Sequence, residues 1–303
     1  MVERLLEKLG VRIGHYTNEK DLTGATCFIF DDWGDIGIDV RGSDTGTINI
    51  PAYEPKAREK RVKAVVLTGG STFGLESSIG VMDYLKVPSV VGAVIYDRRI
   101  GNDVRPKLAD GFKMAENATY KNFKQGNIGV GTGATTGKWK YGKKIKGGFG
   151  LAIKEVQPNA YIGAFVVTNS AGDIVNPKTN KFYSECGGYV ENDIAGAYEG
   201  EAINTTLAVI ITNIEMEKTE LMKVSELAHD GMARAIYPVH TSSDGDVIFS
   251  VSTCGKNRVK LDMKRDDLVN YVGISASNLL IKAINNSLLE AEAIGGFPTY
   301  QRK

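Results

Sequence analysis

The 303 residues, 42% hydrophobic and 24% charged, suffice for one large domain or two small ones with a substantial core. Thirty-seven basic and 36 acidic residues leave a net charge of +1 with no basic stripe, which argues against a nucleic-acid partner. No apolar run approaches the roughly 20 residues of a membrane span, and the charged start MVERLLEKLGVRIGHYTN lacks the apolar centre of a signal peptide, so the expectation is a cytoplasmic protein off the membrane.

The first strand-like run is Ala25–Phe30. The second, Val62–Thr68, leads into Gly69-Gly70-Ser71-Thr72-Phe73-Gly74 and a helical segment, Phe73–Lys86, in which Leu75, Ile79, Met82 and Leu85 share a face. A glycine turn between strand and helix either cradles an anion or reverses the chain with Ser71 or Thr72 as N-cap. It is not a nucleophile elbow, because Phe73 stands where GxSxG needs glycine. Ser89–Tyr96 is the third strand. The segment Gly126–Lys138, GNIGVGTGATTGK, satisfies neither a P-loop nor a dinucleotide fingerprint: Thr132 and Trp139 break the first, and no helix opens at Thr135 for the second. It reads as a glycine-rich loop that brings backbone amides and Lys138 near a ligand, or that leaves Lys138 on the surface.

Ala160–Thr168, Thr206–Thr212 and Asp246–Thr253 complete the strands. Valine and isoleucine on consecutive positions predict strands covered on both faces. Helices are predicted over Thr219–Ile236 and Arg265–Ala293, giving a mixed α/β chain with helix layers on sheets. Cys27, Cys186 and Cys254 have no CxxC spacing, and His15, His229 and His240 have no zinc spacing, so reduced thiols and no metal centre are expected. His240, Ser242 and Asp244 lie too close in sequence for most catalytic triads, and His229 serves to pack or cap a helix. Ser243-Asp244-Gly245-Asp246 carries a turn signal. It also puts two carboxylates at i and i+2 at the start of a strand, where mutual repulsion would hold a proton on one of them.

In EGEAINTTLAVIIT, residues 199–212, Asn204-Thr205-Thr206 precede a buried strand. Threonine suits a strand start; Thr205 could equally begin a second chain. That possibility gains weight from a resemblance covering nearly the whole sequence. Val11–Thr17, Asp39–Gly42, Ala64–Leu75, Ala93–Asp97, Gly126–Lys138, Asn204–Ala208 and Ala228–Ile236 together resemble the DmpA/NylC-type aminopeptidases and amidases, which include β-aminopeptidases and nylon-oligomer hydrolases.

The resemblance implies a four-layer αββα sandwich, shared in outline with ornithine acetyltransferases, and one catalytic domain over 1–303. It also implies self-cleavage between Asn204 and Thr205 into an α chain, 1–204, and a β chain, 205–303. Thr205 would be the nucleophile and its freed α-amine the general base. Asp244 and Asp246 would orient that amine and shuttle protons, Asn169 would donate to an oxyanion, and Lys138 and Tyr96 would line the pocket. No metal or organic cofactor is implied. Partners would be short amide substrates and further copies of the αβ unit, often as tetramers. The Asp-Gly-Asp pair, Lys138 and Tyr96 resemble the nylon-hydrolase branch, which implies unbranched ω-amino acid oligomers ahead of α-peptides. An acyltransferase of the ornithine acetyltransferase type and an uncleaved small-molecule binder are the alternatives.

Overall fold

A computed structural model describes residues 1–138, 144–176, 178–186 and 204–301. Trp139, and residues 199–203 of the EGEAINTTLAVIIT stretch, lie outside the described residues.

The strands are β1 (Val11–Asn18), β2 (Thr23–Val40), β3 (Thr47–Ile48), β4 (Arg61–Thr68), β5 (Val90–Val94), β6 (Thr135–Thr136), β7 (Ile145–Lys146), β8 (Phe149–Gln157), β9 (Ala160–Asn169), β10 (Thr205–Thr212) and β11 (Val247–Thr253). The helices are α1 (Val2–Leu9), α2 (Glu76–Leu85), α3 (Leu108–Glu116), α4 (Lys218–Ala235) and α5 (Arg265–Leu289). Among the described residues one nine-stranded sheet runs β3-β5-β4-β2-β11-β10-β9-β8, with β1 on β2, and β6 pairs with β7 separately. β4 and β5 are parallel, as are β10 and β11; the crossovers between them carry α2 and α4, so predicted helices became the links of βαβ units.

β2 is the hinge of the architecture. The sequence suggested a strand ending at Phe30, but the strand continues to Val40, 18 residues in all. Its first part pairs with β1 and β4, its last part with β11, and its register against β4 shifts between Ile29 and Gly34. Such irregularities bend a strand, and here the continuous sheet folds into two facing layers. Strand alternation then assigns side chains to three cores. Val65 and Leu67 of β4 meet Phe165, Val167, Leu207 and Val209 of β9 and β10 in the middle core, with the Phe28 and Phe165 ring centroids 5.1 Å apart. Ala64 and Val66 face outward with Val81 of α2 and Met114 of α3. Ala208 and Ile210 face the other way, onto Leu221 and Val224 of α4 and Leu280 of α5. The four layers α–β–β–α are therefore the consequence of strands apolar on both faces.

The expected N-cap at Ser71 or Thr72 is not formed. Gly70, at φ 82°, turns the chain, a single 3-10 turn covers Ser71–Leu75, and α2 starts at Glu76. The other expectation for that turn is met internally, because the Gly70 N–H binds the Asp97 carboxylate at 2.6 Å.

Candidate active site

Thr205 opens β10 and pairs with Asn169, the last residue of β9. Its alternation partners Leu207, Val209 and Ile211 lie between the two β layers, whereas Ala208 and Ile210 face the helices. Thr205 therefore points between the β layers and Thr206 towards the helix layer. The Thr205 hydroxyl donates to the Asn204 carbonyl at 2.5 Å. The Thr206 hydroxyl is buried and makes no hydrogen bond among the described residues.

The chain immediately before Thr205 is held by the turn ahead of β11. Asn204 forms a parallel bridge with Asp244. Its N–H donates to the Ser243 carbonyl at 3.0 Å, and its carbonyl accepts the Gly245 N–H at 2.7 Å. Gly245 has to be glycine here: a β-carbon would lie 2.8 Å from Thr205 Oγ and 2.5 Å from the Asp44 carbonyl.

Asn169 flanks Thr205 on the β9 side. Its Oδ1 accepts the Thr135 N–H at 3.1 Å and Lys138 Nζ at 2.9 Å, and Lys138 also reaches the Asn169 carbonyl at 3.0 Å. Two donors on one amide atom fix it as oxygen and turn the NH₂ the other way, 3.4 Å from the Tyr96 carbonyl. Lys138 is thus no plain surface lysine. Burial, with Lys144 nearby, pushes its pKa down to about 7. Tyr96 reaches Asn169 through its backbone, while its ring lies 5.9 Å from the Arg99 guanidinium.

Two buried charges that the sequence reading did not single out support this wall. Lys146 is fully buried and spends its ammonium on the carbonyls of Gly131, Ala134 and Gly147 at 2.7, 2.8 and 2.9 Å; burial lowers its pKa to about 7. Asp97, buried as well and raised to about 6 by desolvation, accepts from Gly70 and from the Thr23 hydroxyl. The glycine clusters at 69–74 and 126–137 therefore gather round the protein's own ions. No sequence motif marks Lys146; its three ligands are backbone carbonyls, which any residue supplies.

On the β11 side Asp244 and Asp246 are both buried. Neither carboxylate touches the Thr205 hydroxyl. Asp246 accepts the Thr206 N–H at 2.6 Å on one oxygen and the His240 N–H and Nδ1 at 3.2 and 2.7 Å on the other. Asp244 takes the Thr241 N–H and hydroxyl at 2.8 and 2.6 Å and the Ala171 N–H at 3.4 Å. Burial first, and then the charge of Asp246, raises the Asp244 pKa. His240 serves Asp246, not Asp244, and Ser242 is exposed, so the candidate triad considered from sequence does not form. The His229 ring packs on His240 at 4.7 Å, and burial lowers its pKa to about 3, keeping it neutral.

Two facing β layers between two helix layers are the architecture of the N-terminal nucleophile class of folds. The solved L-aminopeptidase D-Ala-esterase/amidase of Ochrobactrum anthropi, described as a variant of that fold, superposes with a TM-score of 0.70 at 18% identity over 97% of this chain and 89% of its own. Residues 7–301 match peptidase family S58, and the chain belongs to that family. It is 31% identical to an uncharacterized aminopeptidase of Mycobacterium leprae, over 96% of this chain and 91% of the relative. It is also 31% identical to the 6-aminohexanoate-oligomer endohydrolase of Paenarthrobacter ureafaciens, over 80% of this chain and 73% of that enzyme. The protein is accordingly a hydrolase of the aminopeptidase and amidase type. No helix among the described residues is long and apolar enough to cross a membrane.

Proposed function

We propose that the chain is a self-processing amide hydrolase that cuts itself between Asn204 and Thr205 and then uses Thr205 as nucleophile on short linear amides. The observation that carries this reading is the meeting of three groups at one peptide: the Thr205 hydroxyl and the Gly245 N–H both lie on the Asn204 carbonyl oxygen, at 2.5 and 2.7 Å. In maturation Thr205 Oγ adds to the Asn204 carbonyl carbon, the C–N bond breaks, and the hydroxyl proton ends on the released amine. Water hydrolyses the resulting ester, leaving the Asn204 carboxylate and a free Thr205 with its α-amine.

That amine, with a reference pKa of about 7.7–8.0, supplies the base an internal threonine lacks. In turnover it takes the Oγ proton as Oγ attacks the substrate carbonyl, and returns it to the leaving amine as the amide C–N bond breaks. Water then releases the acyl group from Oγ. The Gly245 N–H, already on the Asn204 carbonyl oxygen, stabilises the oxyanion from the β11 side, and the Asn169 NH₂ and the Lys138 ammonium from the β9 side. Asp246 fixes the peptide that follows the nucleophile, and Asp244 holds a proton to higher pH than an ordinary carboxyl. Tyr96 lines the acyl site. Substrates are amino-terminal peptide bonds or amino-acid amides, with 6-aminohexanoate oligomers as the other member of the class.

The test is a denaturing gel with N-terminal sequencing. Two chains are expected, the second starting at Thr205, and Thr205→Ala should remain full-length and inactive. A Thr205→Ala protein that matures normally, with Thr206→Ala uncut, would overturn the assignment.

A further inference from the structure

The ester formed in maturation is itself an acyl-enzyme: Asn204 is the acyl residue, Thr205 Oγ carries it, and the Thr205 amine is free. Turnover produces the same linkage with a substrate residue in place of Asn204. The contacts that hold Asn204 in the uncut chain therefore describe the space the substrate's acyl residue enters.

Among the contacts that hold it are the Ser243 carbonyl on its N–H and the Gly245 N–H on its carbonyl. The turn that carries both is pinned independently of Asn204. The Asp244 carbonyl accepts the Asp44 N–H at 3.0 Å, and the Asp246 carbonyl accepts Arg41 and Gly42 at 3.0 and 3.1 Å. The Asp244 side chain ties the turn back to Thr241. When Asn204 leaves, the acceptor on Ser243 and the donor on Gly245 keep their positions, separated by the span of one α-residue.

We infer that the Ser243 carbonyl and the Gly245 N–H form the acyl-residue subsite, which pairs like a strand with the α N–H and the scissile carbonyl of the substrate. The inference rests on Thr205 as nucleophile. It names the substrate feature that is read: a nitrogen carrying hydrogen on the α-carbon of the acyl residue. A positive charge there is not required, because the nitrogen of Asn204 is an uncharged amide in the uncut chain. A 6-aminohexanoyl group places several methylenes between its carbonyl and its nitrogen. With its carbonyl on Gly245 it leaves the Ser243 carbonyl unmatched, and sites built to hydrogen-bond a group discriminate against analogues that lack it. This argues for α-amido acyl donors over ω-amino ones.

The experiment compares kcat/KM of the matured wild-type enzyme on four p-nitroanilides: N-acetyl-L-asparaginyl, L-asparaginyl, the desamino analogue succinamoyl, and 6-aminohexanoyl. The two compounds with an α N–H should lie within about ten-fold of each other, and the other two about ten- to a hundred-fold lower, the scale of one hydrogen bond left unmade. Equal rates for the succinamoyl and asparaginyl compounds, or a preference for 6-aminohexanoyl, would overturn the subsite. So would activity on the free amine with none on the N-acetyl compound, since charge and not an N–H would then be read. A chain that stays uncut and hydrolyses none of the four removes the Thr205 reading itself. A cut and active chain without the α-nitrogen preference removes only the subsite.

Discussion

The strands on either side of β10 end in opposite chemistry. The β9 side offers Asn169 gripped by Lys138, with Lys146 behind the glycine-rich loop that leads to Lys138. The β11 side offers Asp244 and Asp246. Thr205 stands between a wall suited to an oxyanion and a wall that positions backbone and protons. The walls are also built differently. The acidic one is local: Thr241, Ser243, Asp244, Gly245 and Asp246 form one turn, and His240 precedes it. The cationic one is assembled from the segment after β5, the 126–138 loop, β7 and β9, which are distant in sequence. The difference teaches that a short polar motif can organise its own hydrogen bonds, whereas an amide donor must be aimed by groups that only the fold delivers.

Separate roles for the two walls predict separate losses. The largest expected effect is on the cationic side, where Lys138→Met should lower kcat by about 10²–10³-fold, the scale of removing one oxyanion donor. A drop confined to KM would instead place Lys138 in substrate binding alone. On the acidic side Asp246→Asn should slow maturation or turnover by roughly 10²-fold, as expected of a positioned acid–base group. Near-normal rates of both would return the motif to a turn that merely stabilises.

The pH profile sharpens the contrast. Lys138 is protonated below its pKa of about 7 and loses its charge as pH rises through that value. The kcat/KM profile should therefore fall on its basic limb from near neutrality, and Lys138→Arg, charged throughout, should carry that limb upward in pH. An unmoved limb would assign it to another group. The smallest effect concerns the neighbouring hydroxyl. Thr206 Oγ is buried without a hydrogen bond among the described residues, so Thr206→Val should leave stability within about 1 kcal/mol of wild type or slightly above it, read by thermal melting. A larger loss would reveal a partner for that hydroxyl.

Much of the frame was legible along the chain. Consecutive valine and isoleucine in Val62–Thr68 and Thr206–Thr212 signalled strands covered on both faces, and the helical spacings of α4 and α5 were readable because one face of each is buried. Asp244-Gly245-Asp246 was legible for the same reason of locality. The bend of β2 was not, since Asp31, Asp32 and Trp33 interrupt the apolar run where strand pairing in fact continues on the far side. Nor was the service of His240 to Asp246, because spacing cannot say which of two nearby carboxylates an imidazole reaches.

By itself the sequence determined the two-faced strands, the helices that cover them, the threonine at the head of β10 and the acidic turn, because alternation, helical period and turn chemistry act over a few residues. Only the tertiary structure decided that Asn169 would meet Lys138, that Lys146 and Asp97 would organise two glycine clusters, and that Ser243 and Gly245 would flank Asn204. Apart from the Lys138–Asn169 and Thr23–Asp97 side-chain bonds, those contacts use backbone carbonyls and amides, which every residue possesses, so only the folded arrangement says which of them converge.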